Sequence, residues 1–292
     1  MDLGAYLFLA FLEGLVQAAV LTLTALGLSL VFGVMRVVNI AHGQFFMLGA
    51  VVAWWITNSV AASGLGFVVA MVIAPIVVGA IALTSERVVL RPLKYDAVGT
   101  IIATIGLLYI IQEITLLTFG PDARPVEPPF YFDVQFPWFG YSGYKLFVIG
   151  VATLLLFGLK WSSDHLQIGL VMRATQFDSD TAQAFGVSVD RVYAQVFALG
   201  AMLAAVGAVL VVPIQQAQYL MGFDALILSF TAVIVGGLGS IQGTVLAAIV
   251  IGLSDGILSV FFAPTLSKIV AALFIALILI FKPEGLLAGS RS

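Results

Sequence analysis

Leu65-Gly-Phe-Val-Val-Ala-Met-Val-Ile-Ala-Pro-Ile-Val-Val-Gly-Ala-Ile-Ala-Leu-Thr-Ser85 runs twenty-one residues without a charge. A helix needs about 20 apolar residues to cross the hydrocarbon of a bilayer, and this stretch supplies them. Its apolar residues are continuous, whereas a barrel strand would alternate, and lipid admits only helices or closed barrels. The rest of the chain repeats the pattern. Spans are predicted over 5–33, 43–58, 65–85, 97–119, 144–160, 191–213, 223–238, 243–262 and 267–282. The fold class is therefore all-α, a polytopic membrane protein of eight or nine crossings in a single transmembrane domain over 1–292.

The composition agrees. Only 9% of the residues are charged and 62% are hydrophobic, with a mean hydropathy of +1.15, whereas soluble domains carry about 25% charged residues. A net charge of −3 does not suit a nucleic-acid partner. The chain has no cysteine, and its two histidines, His42 and His165, are far apart. Thiolate metal sites and cysteine nucleophiles are excluded, and no cofactor is expected.

Three polar connections divide the spans: 86–96, the proline-rich 120–143 and the long 161–190. Orientation is read from Lys and Arg, which gather on the cytoplasmic side. With 86–96, 161–190 and the C-terminus on one side, that side holds nine of the twelve basic residues; Arg124, Lys145 and Lys268 remain opposite. The C-terminus is thus expected in the cytoplasm, with the N-terminus and the proline-rich loop outside. Trp54, Trp55, Trp138, Tyr141 and Tyr144 read as anchors at the outer interface. Of the acids near apolar runs, Glu113 and Asp255 suit solvated or paired positions, and Glu13 most needs a partner.

Two segments interrupt the apolar pattern in a similar way: Val38-Asn39-Ile40-Ala41-His42-Gly43-Gln44, and Gly236-Gly237-Leu238-Gly239-Ser240-Ile241-Gln242-Gly243. One lies in each half of the chain, as in transporters built from two repeats, where broken helices line the pathway. Asn39, His42, Gly43, Gln44, Gly236, Gly237, Gly239, Ser240, Gln242 and Gly243 are the expected pathway residues, the two segments approaching each other inside the membrane. His42 can touch substrate or brace the broken helix through a backbone carbonyl. Between residues 173 and 186, Phe177, Thr181, Ala184 and Phe185 recur at helical spacing and Gly186 stands where a terminating glycine belongs. A short amphipathic helix is predicted there, either lying on the bilayer or docking into a partner's groove.

With these residues in view, the chain resembles the LivH-type permeases of branched-chain amino acid ABC importers along its whole length. The likeness rests on Asn39-Ile-Ala-His-Gly-Gln44, Arg91-Pro-Leu93, Ile102-Ala-Thr-Ile-Gly106 and Phe119-Gly-Pro121. It continues through Arg173-Ala174, Ala182, Gly186, Val189-Asp-Arg-Val192 and Gly236-Gly-Leu-Gly-Ser-Ile-Gln-Gly243. Leu170 and Ser179 depart from it, since basic residues often stand at or near those places. The resemblance implies a bacterial inner-membrane subunit paired with a second, related permease, with two cytoplasmic ABC ATPases and a periplasmic binding protein. It also makes Arg173, Ala174, Phe177, Thr181, Ala182, Phe185 and Gly186 the ATPase-coupling residues. An ABC permease for urea or another small polar solute, or a self-sufficient secondary transporter, is the alternative. No catalytic site is expected, since the chain has neither a phosphate-binding loop nor a metal-ligand spacing.

Overall fold

The computed structural model describes residues 3–60 and 63–261. The predicted span 267–282 lies outside them. Apart from one short hairpin, the regular structure of the described chain is helical. It runs α1 (Leu3–Met35), α2 (His42–Ser59), α3 (Ser63–Ser85), which continues through a wider π-type turn (Glu86–Leu90), and α4 (Ala97–Phe119). Strands β1 (Asp133–Gln135) and β2 (Gly140–Ser142) follow, paired antiparallel with Val134 opposite Tyr141. Then come α5 (Gly143–His165), α6 (Gln167–Phe177), α7 (Ser179–Ala184), α8 (Val189–Gln215), α9 (Met221–Gly236) and α10 (Ile241–Phe261). Six helices among the described residues have the length and apolarity of a membrane crossing; α9 is apolar but shorter.

The bundle is organised about α1 and α8. Gly27 faces Gly200, and Gly207 faces Val20 and Thr24, so the two helices run antiparallel. A Cβ added to Gly200 would stand 2.6 Å from the Gly27 carbonyl oxygen, and one added to Gly27 would meet the Gly200 carbonyl in turn. Between helices in lipid no hydrophobic force draws apolar surfaces together, so van der Waals contact must hold them, and small residues permit it. On this axis the halves mirror each other: α1 packs on α10 as α8 packs on α3, and α2 meets α9. Phe45, Phe67, Phe197, Leu23 and Met47 fill the centre and are fully buried.

At one end of the bundle sits the hairpin, with Phe8 ringed by Phe136, Trp138 and Phe139. There Lys145 pairs with Glu13, the acid that needed a partner. Tyr141 and Tyr144 differ from the reading as interface anchors, for both are buried. The Tyr144 hydroxyl donates to the Leu210 carbonyl at 2.8 Å, so it is a strut inside the bundle. Trp55 and Trp138 stand exposed.

The α1–α8 contact makes a direct prediction. Gly200→Ala should cost about 1–3 kcal/mol, the usual penalty for overpacking, read as a lower thermal midpoint of the detergent-purified protein. Gly150→Ala is the control, because an added Cβ there meets nothing within 4 Å, and its midpoint should hold or rise.

Candidate functional site

The first interruption turns back into the bundle. After α1, Arg36 adopts a left-handed backbone with φ 55°, and the chain returns along its own path to begin α2. His42 Nε2 donates to the Thr24 carbonyl at 2.9 Å, and Thr24 lies eleven residues before the end of α1, about 16 Å along the axis. The segment is therefore re-entrant, with its backbone inside the span, where each N–H and C=O must find a partner within the protein. Side chains provide several. Asn39 Oδ1 accepts from the Ala41 N–H at 3.1 Å, and Thr104 Oγ1 of α4 accepts from the Ile40 N–H at 3.2 Å. Asn39, His42 and Gln44 are all buried.

A second re-entrant segment mirrors the first. Gln216, just after α8, is also left-handed, with φ 65°. Ala217 forms an isolated antiparallel bridge with Arg124, and α9 begins at Met221 within the bundle. The two half-helices touch at their N-termini. Gly43 is nearest to Gly222 and Leu226, and a Cβ on Gly222 would lie 2.6 Å from the Gly43 carbonyl oxygen. Such close backbone approach suits Cα–H···O contacts and requires glycine on both sides. Sequence reading missed Gly222. Its signal was the polar run Gln215-Gln216-Ala217-Gln218, whose three glutamines are exposed at the end of a long apolar helix.

The Gly236–Gly243 segment has a different place. It is the tight turn joining α9 to α10, with Gly237 at φ 100° and Gly239 at φ 79°, and with Gly236 against Gly243. Ser240 caps α10, its Oγ accepting from the Gly243 N–H at 3.1 Å. Gly33, near the end of α1, approaches Gly239, and Gln176 Nε2 donates to the Gly239 carbonyl at 3.0 Å. The nearest neighbours of Gly43 and Gly243 are thus different, each closing its own helix pair. Gln242 is exposed.

The 173–186 stretch is two helices, not one. Asp178 is extended, at φ −155° and ψ 105°, and its side chain caps α7 by accepting from the Asp180 and Thr181 N–H groups. The Thr181 hydroxyl also donates to it. These bonds hold the Asp178 carboxyl below the usual aspartate range. The cap is complete above that ordinary range and is lost as pH falls through the lowered value. The single stripe expected from spacing is broken accordingly. Phe177 and Phe185 stand out at 89% and 86% exposure, while Ala182 turns inward. Arg173 folds back onto Ser163 and Asp164 of α5, and Ala174 is exposed. Gly186, with φ 88°, ends α7 through bonds from Gly186 N to Gln183 O and from Val187 N to Ala182 O, a Schellman closure.

Comparison with known proteins bears on this geometry. Residues 10–281 match the family described as branched-chain amino acid transport system, permease component. The high-affinity branched-chain amino acid transport system permease protein BraD of Pseudomonas aeruginosa is 31% identical, with 94% of each chain covered. The corresponding LivH protein of Escherichia coli K12 is 29% identical over 96% of each chain. A probable LivH of Methanocaldococcus jannaschii is 27% identical over 98% of this chain and 93% of its own. Among solved structures, PsaBC from Streptococcus pneumoniae in complex with Fab shares the fold. Its TM-score is 0.51 at 13% identity, covering 93% of this chain and 91% of that one.

The Gly43–Gly222 contact should behave as one unit. Gly43→Ala and Gly222→Ala should each lower the thermal midpoint, by about 1–3 kcal/mol in stability. Once the first methyl has parted the half-helices, the second has less to displace, so the double variant should cost less than the sum of the singles. Additive losses would show that the two glycines do not share a contact.

Proposed function

The chain belongs to the family of permease components of branched-chain amino acid transport systems, and on that premise we propose that it builds half of the path by which such amino acids are imported. Its relatives carry that transport in their names. The reading assigns the other half to a second, related permease, energy to two ATPases on the cytoplasmic face, and delivery to a periplasmic binding protein. Asn39, His42, Gly43 and Gln44 line the path in this reading, and the Gly236–Gly243 turn closes its inner end. The whole chain serves as one transmembrane domain of the inner membrane.

The observation that carries the coupling part is the pair of aromatic side chains, Phe177 and Phe185, at 89% and 86% exposure on the two-helix loop α6–α7. A solvated loop gains nothing from two bare phenyl rings, whereas a partner's groove does. Charge supports the orientation. Arg173 belongs to this loop, and Arg36 and Arg91 are joined to it or to the neighbouring start of α8, while Arg124 and Lys145 lie at the hairpin end. In this reading the α6–α7 loop faces the cytoplasm and the hairpin faces the periplasm.

Cysteines placed at the exposed positions Ala184 and Tyr131 of this cysteine-free chain test the orientation. An impermeant reagent added outside intact spheroplasts should label position 131 and spare 184; the reverse pattern would invert the topology.

The coupling reading makes its own prediction. Phe177→Ala and Phe185→Asp should leave insertion and thermal stability unchanged, since neither ring is buried. They should weaken ATPase association by about 2 kcal/mol or more, roughly thirtyfold. Pull-down of the ATPase subunits and leucine uptake by proteoliposomes with loaded binding protein would both fall. A wild-type complex that imports urea and no amino acid would overturn the substrate, and a purified chain that drives uptake from an ion gradient alone would overturn the ABC reading.

A further inference from the structure

Two polar side-chain atoms are stranded beside the Gly43–Gly222 contact. Gln44 is fully buried, and neither its Nε2 nor its Oε1 has a hydrogen-bond partner. Its Oε1 points at α9, 3.1 Å from where a Cβ on Gly222 would stand. His42 turns the other way, its buried ring against α1, with Nε2 on the Thr24 carbonyl and Cε1 beside Gly27. Each orphaned group costs about 1–3 kcal/mol in a dry interior. Packing alone would favour leucine or methionine at position 44.

The backbone at this point has its own vacancies. The first-turn amides of a helix have no intrahelical acceptor, and neither the Gly43 nor the Gly222 N–H meets one among the described residues. The positive ends of two helix dipoles, α2 and α9, therefore converge beside the Gln44 amide. Gly222, Leu226 and Ser229 form the buried face of α9 here.

We propose that these groups are a seat for the zwitterionic head of an α-amino acid, reached when the Gly43–Gly222 contact parts during transport. Donors and acceptors match in kind. The two helix N-termini and Gln44 Nε2 offer N–H groups to a carboxylate, and Gln44 Oε1 offers lone pairs to an ammonium. In the closed arrangement seen here the seat is collapsed, and its polar atoms wait unpaired. The inference rests on the amino acid reading above and adds where the common part of every such substrate is held.

Gln44 supplies the test, because a structural role and a substrate role give opposite signs. Gln44→Leu and Gln44→Glu would be purified with their partner subunits, reconstituted, and supplied with leucine-loaded binding protein. The leucine variant should keep or raise the thermal midpoint of the complex, since it removes two unpaired groups. Its uptake should nevertheless fall at least about tenfold, the weight of one hydrogen bond to a charged group. Gln44→Glu keeps the shape but opposes a carboxylate, and should lose uptake as well. A lowered midpoint for Gln44→Leu would show that the amide is structurally engaged and would overturn the inference. So would undiminished uptake by either variant. Failure of the amino acid reading looks different: the wild-type complex itself would then import no amino acid.

Discussion

The structure depends on how closely α1 and α8 can approach. In lipid, apolar side chains gain nothing by leaving their surroundings, so helix association relies on contact between well-matched surfaces. Gly27 and Gly200 remove the side chains at the crossing and bring the two backbones together. The flanking pairs follow, α10 on α1 and α3 on α8, with further small-residue contacts such as Gly252 on Ala18 and Gly49 on Ala205. The half-helices α2 and α9 lie across this frame and meet at Gly43 and Gly222. A bulkier residue at the central crossing would move every element that uses α1 or α8 as its support.

Interrupting a helix inside a membrane exposes backbone groups that water cannot reach. This chain meets that demand with short polar side chains close in sequence and with one helix brought from outside: Asn39 for Ala41, Thr104 of α4 for Ile40, Ser240 for Gly243. His42 joins the start of α2 to the middle of α1 by bonding the Thr24 carbonyl. Two non-glycine residues, Arg36 and Gln216, accept left-handed backbone where each long helix doubles back. Beside these paired groups, both amide atoms of the buried Gln44 are left without a partner.

The α6–α7 loop is tied to both halves at their shared end. Arg36 Nη2 donates to the Gln176 carbonyl at 3.4 Å, and the Gln176 amide reaches Gly239. Arg36 opens the segment leading to α2, and Gly239 sits in the turn that ends α9. Movement of the loop would therefore bear on both half-helices through a single residue. Arg91 and Asp190 form an ion pair nearby at 2.6 Å, half exposed on each side, and such a pair adds little to stability.

The sequence alone determined the class of the fold, because a bilayer imposes a length and an apolarity that are legible residue by residue. The eight predicted spans that fall among the described residues all have helices on them; Gly186 as a terminator and the broken helix at Asn39–Gln44 were legible for the same local reasons. Tertiary structure decided the pairings. Spacing could not reveal that Asp178 would cap a second helix, since capping competes with helix continuation on nearly equal terms. Nor could it show that the counterpart of Gly43 is Gly222, where the matching polar-glycine breaks point to Gly236–Gly243. A glycine's role in helix contact is fixed by the backbone that arrives opposite it, and that is a property of the folded bundle, not of the glycine's neighbours in sequence.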